Sequence, residues 1–211
     1  PPRGQSDMKL YLFIIGVAMA AIAGINMACG IASPLYAALA VIFCVALQIV
    51  LDSLAALAVR LSPDRLYPAE SPRYRVRSWE KKLYIKLGVR AWKDHIPDLG
   101  GIGGFSKKRL QSPDDPAYIE KYVIECHKGV LTHRLCYLLG LPVMLTLPHL
   151  CALTIGLPVA VINLILNALP TMALRYNTPM LLGMLRRMRR KQTTAANRAL
   201  GDRAPENLGV S

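Results

Sequence analysis

Two long apolar segments, separated by a short turn, dominate the N-terminal part of the chain. Residues 10–29 carry no charged side chain, and residues 35–59 carry a single one, Asp52. About 20 apolar residues, each rising about 1.5 Å along an α-helix, are enough to cross the hydrocarbon core of a bilayer. The backbone must satisfy its own hydrogen bonds there, so the pattern predicts two membrane-spanning helices in a tight hairpin. The first segment lacks the small-residue cleavage site of a secretory signal, and we expect it to be retained.

The chain then changes from apolar to basic. Residues 60–134 contain 16 Lys or Arg against 9 Asp or Glu, in a chain that is 53% hydrophobic and carries a net charge of +13. A second apolar block, residues 135–174, is interrupted by prolines and has the length of two kinked spans. We therefore predict an all-α, multi-pass membrane protein with about four transmembrane helices plus a cytoplasmic amphipathic helix and loop. A chain of 211 residues has no room for a separate large catalytic domain, so any activity must use the membrane part.

The distribution of positive charge predicts the orientation. Lys and Arg in short loops stay on the cytoplasmic side, and here the central segment and the RRMRRK stretch at 186–191 are basic. Both termini are therefore expected in the cytoplasm. A re-entrant segment at 135–147 followed by one late span would place RRMRRK outside, which the charge rule disfavours. The predicted divisions are an N-terminal transmembrane hairpin (1–59), a cytoplasmic basic segment (60–134), a second transmembrane hairpin (135–176) and a basic cytoplasmic tail (177–211).

Basic and aromatic residues are interleaved in residues 73–93, which contain eight Lys or Arg together with two Trp and two Tyr. The pattern is typical of an amphipathic helix on an anionic membrane surface, where each basic residue contributes on the order of 1 kcal/mol. Membrane lipids are therefore the expected partner, and nucleic acid is not. Residues 92–98, WKDHIPD, precede a glycine-rich stretch and a KKR cluster. Two readings stay open there: a site for a phosphate-bearing acyl donor, or a solvated loop.

Residues 116–139 predict one helix that enters the membrane near His133, with Asp114 or Asp115 as its cap. Glu125 and His133 lie near one face, about 12 Å apart along the axis, so they would act on different parts of a substrate. A partly desolvated His at a membrane entrance is a suitable general base. The alternative is that Glu125 pairs with neighbouring lysines while His133 reaches the interface.

Other polar residues of the apolar blocks have two readings each. Asp52 is either functional or bound to a buried or basic partner, and Asn163 with Asn167 suggests interhelical hydrogen bonding. Candidate metal ligands are present, among them His127, but none has a recognisable zinc spacing, and we expect no metal site.

Three separated blocks resemble the glycosyl-4,4'-diaponeurosporenoate acyltransferases, which esterify a sugar hydroxyl of a glycosylated carotenoid. They are WEKKLYIKLGVRAWKDHIPD, YVIECHKGVLTH and LRYNTP, the last followed by an apolar and basic helix. The likeness covers roughly residues 79–190. The residues that match the family pattern are Trp92, Lys93, Glu125, His133, Arg175, Tyr176, Asn177 and Pro179. Val130 stands where the family has a second helix glutamate, and the 35–59 span is an addition.

The resemblance implies a bacterial cytoplasmic-membrane O-acyltransferase that moves a fatty acyl group from acyl-CoA or acyl-carrier protein to a glycolipid hydroxyl, with no other cofactor. We predict His133 and Glu125 as catalytic residues. The predicted substrate-binding residues are Trp92, Lys93, Asp98, Arg175, Tyr176 and Asn177. A non-catalytic membrane adaptor that binds anionic lipid or a partner enzyme is the alternative function, and a small proton-coupled transporter that uses Asp52 is a third.

Overall fold

The computed structural model describes residues 3–96 and 110–201, and these residues contain helices, turns and loops but no β-strand. The prediction of an all-α protein is therefore confirmed for the described part of the chain. The α-helices are α1 (Arg3–Ala28), α2 (Pro34–Leu61), α3 (Ser78–Lys86), α4 (Val89–Trp92), α5 (Pro116–Gly140), α6 (His149–Cys151) and α7 (Leu157–Gly201). Short 3-10 helices lie between them, and one π-helical turn, Ala152–Gly156, joins α6 to α7.

Three helical stretches are long and apolar enough to cross a membrane, namely Pro34–Leu61, Pro116–Thr146 and His149–Arg198. Within α1, the described residues contain one shorter apolar stretch, Leu12–Ala28. The described residues thus support a membrane protein with three candidate spans, while the predicted total of four is not confirmed.

Helices α1 and α2 pack against each other as a hairpin, and local signals explain its turn. Gly30 adopts a left-handed conformation with φ 66°, which suits a residue without Cβ. Ser33 then caps α2, accepting a hydrogen bond from the Tyr36 backbone N–H at 3.4 Å, and Pro34 occupies the first helical position. Asn26 of α1, fully buried, donates to the Thr154 carbonyl at 3.0 Å and so ties the hairpin to the π-helical turn.

The second hairpin consists of α5, with its 3-10 extension Leu141–Thr146, packed along α7. Asp115 caps α5 by accepting from the Ala117 N–H at 2.9 Å, so the helix begins where the sequence predicts. Gly156 permits the close return of the chain, because a Cβ there would lie 2.7 Å from the Met144 Cα. The predicted division at 176 falls inside α7, which continues through two prolines to Gly201.

Within the basic segment, residues 78–92 differ from the single amphipathic helix expected over residues 73–93. It forms two short helices, α3 and α4, separated by Gly88, whose φ of 61° is left-handed and ends the first helix. Trp79 and Ile85 of α3 are exposed by 57% and 73%. Large apolar side chains beside many cations are typical of a segment that lies on a membrane surface.

Candidate active site

Polar side chains from three helices meet within the apolar part of the bundle. We call this group the membrane cluster; its members are Gln48, Asp52, His133, Asn163 and Asn167. Gln48 Nε2 donates to Asp52 Oδ1 at 2.8 Å. His133 Nδ1 lies 2.9 Å from Asn167 Oδ1. Asp52 lies close to Asn167 and His133, and Cys136 Sγ of α5 donates to the Asp52 backbone carbonyl at 3.9 Å. The cluster therefore links α2, α5 and α7 in one network.

The hydrogen bonds of Asn167 determine the tautomer of His133. Asn167 Nδ2 donates to the Asn163 carbonyl at 3.1 Å and to Asn163 Oδ1 at 2.9 Å. Its own Oδ1 therefore faces His133 as an acceptor, and the proton of a neutral imidazole is held on Nδ1. Nε2 is then the basic nitrogen, which is the state that a general base requires.

Gly140 of α5 makes the tight packing around this cluster possible. A Cβ at this position would lie 2.7 Å from Asn163 Nδ2 and 2.8 Å from Gln48 Oε1. The missing side chain lets two amides approach α5, and Asn163 Nδ2 uses the space to donate to the Cys136 carbonyl at 3.1 Å. Asn163 thus finds its hydrogen-bonding partner on another helix, whereas Gln48 donates to Asp52 of its own helix and its Oε1 has no partner among the described residues.

Arg175, predicted to bind substrate, is held in a buried ion pair. Its Nε and Nη2 donate to Glu80 Oε2 and Oε1 at 2.6 and 2.8 Å, which is a bidentate arrangement. Nη2 also donates to the Arg75 carbonyl at 3.2 Å, and Nη1 to the Tyr74 carbonyl at 3.5 Å. Most donors of the guanidinium are thus occupied within the protein, and Arg175 attaches α3 and the preceding loop to α7.

Glu80 remains ionised in this pair. Burial by itself would raise the pKa of its carboxyl, but hydrogen bonds from Arg175, Tyr84 and the Arg77 backbone N–H outweigh burial and hold the pKa below its ordinary value. Tyr84, which donates to Glu80 Oε2 at 2.9 Å, has a raised pKa because of its burial and because of the adjacent carboxylate. Glu80 is therefore ionised and hydrogen-bonded by Arg175 and Tyr84 within the protein.

The remaining predicted residues are not gathered around His133 in the described structure. Glu125 is half-buried on α5, and its neighbour Lys128 pairs with Asp64 instead of with Glu125. Trp92 Nε1 donates to the Leu87 carbonyl at 3.0 Å, and Lys93 pairs with Asp94 at 2.8 Å.

Three further substrate-binding predictions concern α7 and the central loop. Tyr176 and Asn177 are half-buried on α7 next to Arg175. Asp98 lies outside the described residues. The roles of these residues stay predictions.

Sequence reasoning treated His127 only as a weak metal ligand, whereas the structure gives it a distinctive place. The ring is 1% exposed and stacks on Tyr74, with centroids 4.2 Å apart and planes 10° apart. Neither ring nitrogen makes a hydrogen bond to another described residue. The ring lines a cavity of about 460 Å³ between α7 and the loop before α3. No motif reveals this, because Tyr74 and His127 are far apart in sequence.

Comparison with known protein families gives a match over residues 70–187 to the family of glycosyl-4,4'-diaponeurosporenoate acyltransferases. The searches of curated proteins and of solved structures returned no match. The matched region begins after α2 and contains His133, Asn167 and the Arg175–Glu80 pair, but not Asp52. The resemblance read from the sequence is confirmed, and it points to an acyltransferase of carotenoid biosynthesis. The chain belongs to the glycosyl-4,4'-diaponeurosporenoate acyltransferase family.

Proposed function

We propose that the protein is a membrane O-acyltransferase that moves a fatty acyl group from a cytoplasmic thioester, acyl-CoA or acyl-carrier protein, to a hydroxyl of a glycolipid. The family description suggests a glycosylated carotenoid as the acceptor. The observation that carries the proposal is the hydrogen bond between His133 and Asn167, with Asp52 beside it. It provides an oriented base within the apolar part of the bundle, where an amphiphilic acceptor is soluble.

The proposed reaction uses His133 Nε2 as the base. Nε2 takes the proton of the acceptor hydroxyl while the hydroxyl oxygen attacks the thioester carbonyl. The tetrahedral intermediate then expels the thiolate, which takes the proton from the imidazolium, so the products are an ester and a free thiol. Asn167 holds the ring through Nδ1, and Asp52, which lies close by, would interact with the transient imidazolium.

The proposal includes five further residues as substrate contacts: Glu125, Trp92, Lys93, Tyr176 and Asn177. They would contact the substrates at the basic end of the bundle, which is the end that carries the basic segment. Glu125 would orient the acceptor, and Lys93 and Asn177 would contact the donor. Arg175 is assigned a positioning role, because Glu80 and backbone carbonyls occupy most of its donors.

Location in the bacterial cytoplasmic membrane with both termini in the cytoplasm belongs to the same proposal, because thioester donors are cytoplasmic. The basic central segment and the RRMRRK stretch support this orientation. Termini on the same side require an even number of spans, so the proposal includes α1 as a fourth span beside the three candidates.

The test is acyl transfer by the purified protein in detergent. With radiolabelled acyl-CoA and a lipid extract that contains glycosylated carotenoid, the wild-type protein should produce a labelled lipid. His133→Ala should lower the rate by about 10²- to 10⁴-fold, the usual contribution of a general base. His149→Ala is the matched control, because His149 is exposed and lies at the turn between α5 and α7.

Two outcomes would contradict the proposal at different levels. A His133→Ala protein as active as wild type would show that the base is another residue. No labelled lipid from a folded wild-type protein would reject thioester-dependent transfer and favour the adaptor alternative.

A further inference from the structure

The cavity beside His127 lies at the basic end of the bundle, separate from the membrane cluster. Its volume of about 460 Å³ is within the usual range for small-molecule sites. The loop before α3 forms one wall, and α5 and α7 form the others. Along α5, His127 precedes His133 by six residues, so the two rings are offset by about 9 Å along the axis.

The wall of the cavity contains a buried polar group with unused hydrogen-bonding capacity. His127 is 1% exposed, and neither Nδ1 nor Nε2 has a hydrogen-bonding partner among the described residues. The carbonyls of Tyr67 and Pro68 are close enough to influence the ring but do not meet hydrogen-bonding geometry. An unsatisfied buried donor is costly, on the order of 1–3 kcal/mol. Both nitrogens are closed to solvent in the described structure, so a ligand that accepts a hydrogen bond from the ring would bind with a small shift of the ring or of the cavity wall.

Cations surround the same space. Arg75, Lys81 and Arg186 all line the cavity. Arg186 Nε donates a hydrogen bond to Glu70 Oε1 at 3.3 Å, whereas Arg75 and Lys81 form no ion pair with any described residue. The local charge is therefore positive even after the carboxylate is counted, and a multiply charged anion would be favoured over a neutral ligand.

The cavity also has apolar walls, to which Pro72, Val76, Pro179 and Leu182 contribute. A ligand that fits both features has an anionic end and an uncharged chain. Among the substrates of the proposed reaction, the thioester donor meets this description, because its pantetheine arm carries a phosphate at one end and the acyl thioester at the other. The arm is longer than the axial offset between His127 and His133.

Building on the proposed function, we propose that this cavity binds the phosphate end of the donor's phosphopantetheine group. His127 donates a hydrogen bond to the phosphate from the cavity wall, and Arg75, Lys81 and Arg186 neutralise its charge. Tyr74 fixes the orientation of the His127 ring by stacking. The donor arm then runs along α5 toward the membrane cluster. The donor phosphate site is thus assigned to residues other than Arg175.

The binding test uses the full-length protein in detergent and isothermal titration with 4'-phosphopantetheine, pantetheine, coenzyme A and inorganic phosphate. We expect 4'-phosphopantetheine to bind at least about tenfold more tightly than pantetheine, because a charge-assisted contact is worth about a factor of ten or more. Lys81→Gln should weaken binding by about tenfold. Lys82→Gln, an exposed neighbour that does not line the cavity, should not change it.

A second variant tests the role of the imidazole. His127→Phe keeps an aromatic ring against Tyr74 but removes both nitrogens, and it should weaken 4'-phosphopantetheine binding by about tenfold at an unchanged thermal midpoint. If His127→Phe does not fold, the Lys81 and Lys82 pair still decides the question. Equal affinities of the two lysine variants would overturn the proposal.

Two further measurements show whether the bound phosphate belongs to the donor or to a lipid, and whether the cavity proposal can fail without the proposed function. Competition by phosphatidylglycerol nanodiscs but not by coenzyme A would overturn the donor assignment and identify a lipid headgroup instead. Acyl transfer that depends on His133, without measurable 4'-phosphopantetheine binding, would reject the cavity proposal and leave the proposed function intact. Binding without any transfer would support the cavity and reject the proposed function.

Discussion

Replacing Arg175 by Met would test the structural role of the ion pair with Glu80. The two residues are 5% and 7% exposed, and the pair makes two hydrogen bonds of 2.6 and 2.8 Å. After the substitution, Glu80 keeps only the Tyr84 hydroxyl and the Arg77 N–H as donors. A buried carboxylate would then lack its counter-charge.

The expected cost follows from that loss. Removing one partner of a buried pair typically costs about 3 to 5 kcal/mol, because the other charge stays buried and uncompensated. Glu80 and Tyr84 are the buried side chains of α3, so little apolar burial opposes its release. The local opening of α3 should therefore become about 10²- to 4 × 10³-fold more frequent, since 1.4 kcal/mol corresponds to a factor of ten.

Hydrogen exchange followed by mass spectrometry measures this opening directly. In detergent, the amides of residues 78–86 should lose protection in Arg175→Met. Arg187→Met is the matched control, because Arg187 is exposed on the same helix and has no ion pair among the described residues. The double variant Glu80→Leu with Arg175→Met should recover much of the protection, because it leaves no unpaired buried charge.

Unchanged protection of α3 in Arg175→Met would refute this reasoning. If such a protein also lost affinity for 4'-phosphopantetheine, Arg175 would be a donor-binding residue, as the sequence suggests.

Two further predictions concern pH and packing. The pKa of Glu80 is lower in the folded protein than its ordinary value of 4.5. The ionised carboxylate therefore stabilises α3 above pH 4.5, and this stabilisation is lost as the pH falls through the lower folded-state pKa. Glu80→Gln should remove this pH dependence, which hydrogen exchange of α3 measures. Gly156→Ala should lower the thermal midpoint, because its Cβ would lie 2.7 Å from the backbone Cα of Met144, and the strain should be about 1–3 kcal/mol. Gly183→Ala is the control, because a Cβ at this position meets open space and should stabilise the helix by up to about 1 kcal/mol. An equal fall of the thermal midpoint in both variants would contradict the steric argument.

Much of the secondary structure could be read from local signals. The apolar run at 35–59 and the charge reversal after it correspond to α2 and the basic segment. The predicted helix over 116–139 is α5, Pro116–Gly140, and its cap is one of the two residues named. The break at Gly88 was missed, because helix periodicity continues across it and only the left-handed conformation of that glycine ends α3.

For the candidate site, the sequence predicts which residues are polar and functional in type but not which of them are in contact. His133 and Asn167 were each identified as polar residues of apolar helices, but their contact depends on how α5 and α7 rotate against each other. Arg175 was identified from its motif, whereas its partner, Glu80, lies 95 positions earlier in the chain. A sequence pattern cannot predict such a pairing, because the two residues become neighbours only when α3 packs on α7.

The sequence by itself determined that the chain is helical, that its apolar stretches suit a membrane and that it belongs to an acyltransferase family. These properties depend on hydropathy, charge and short motifs, which are local. The tertiary structure decided which polar side chains share one environment: His133 with Asn167 and Asp52, and His127 with Tyr74. The physical reason is that these contacts join residues far apart in the chain, so the packing of distant segments decides which buried polar groups become neighbours.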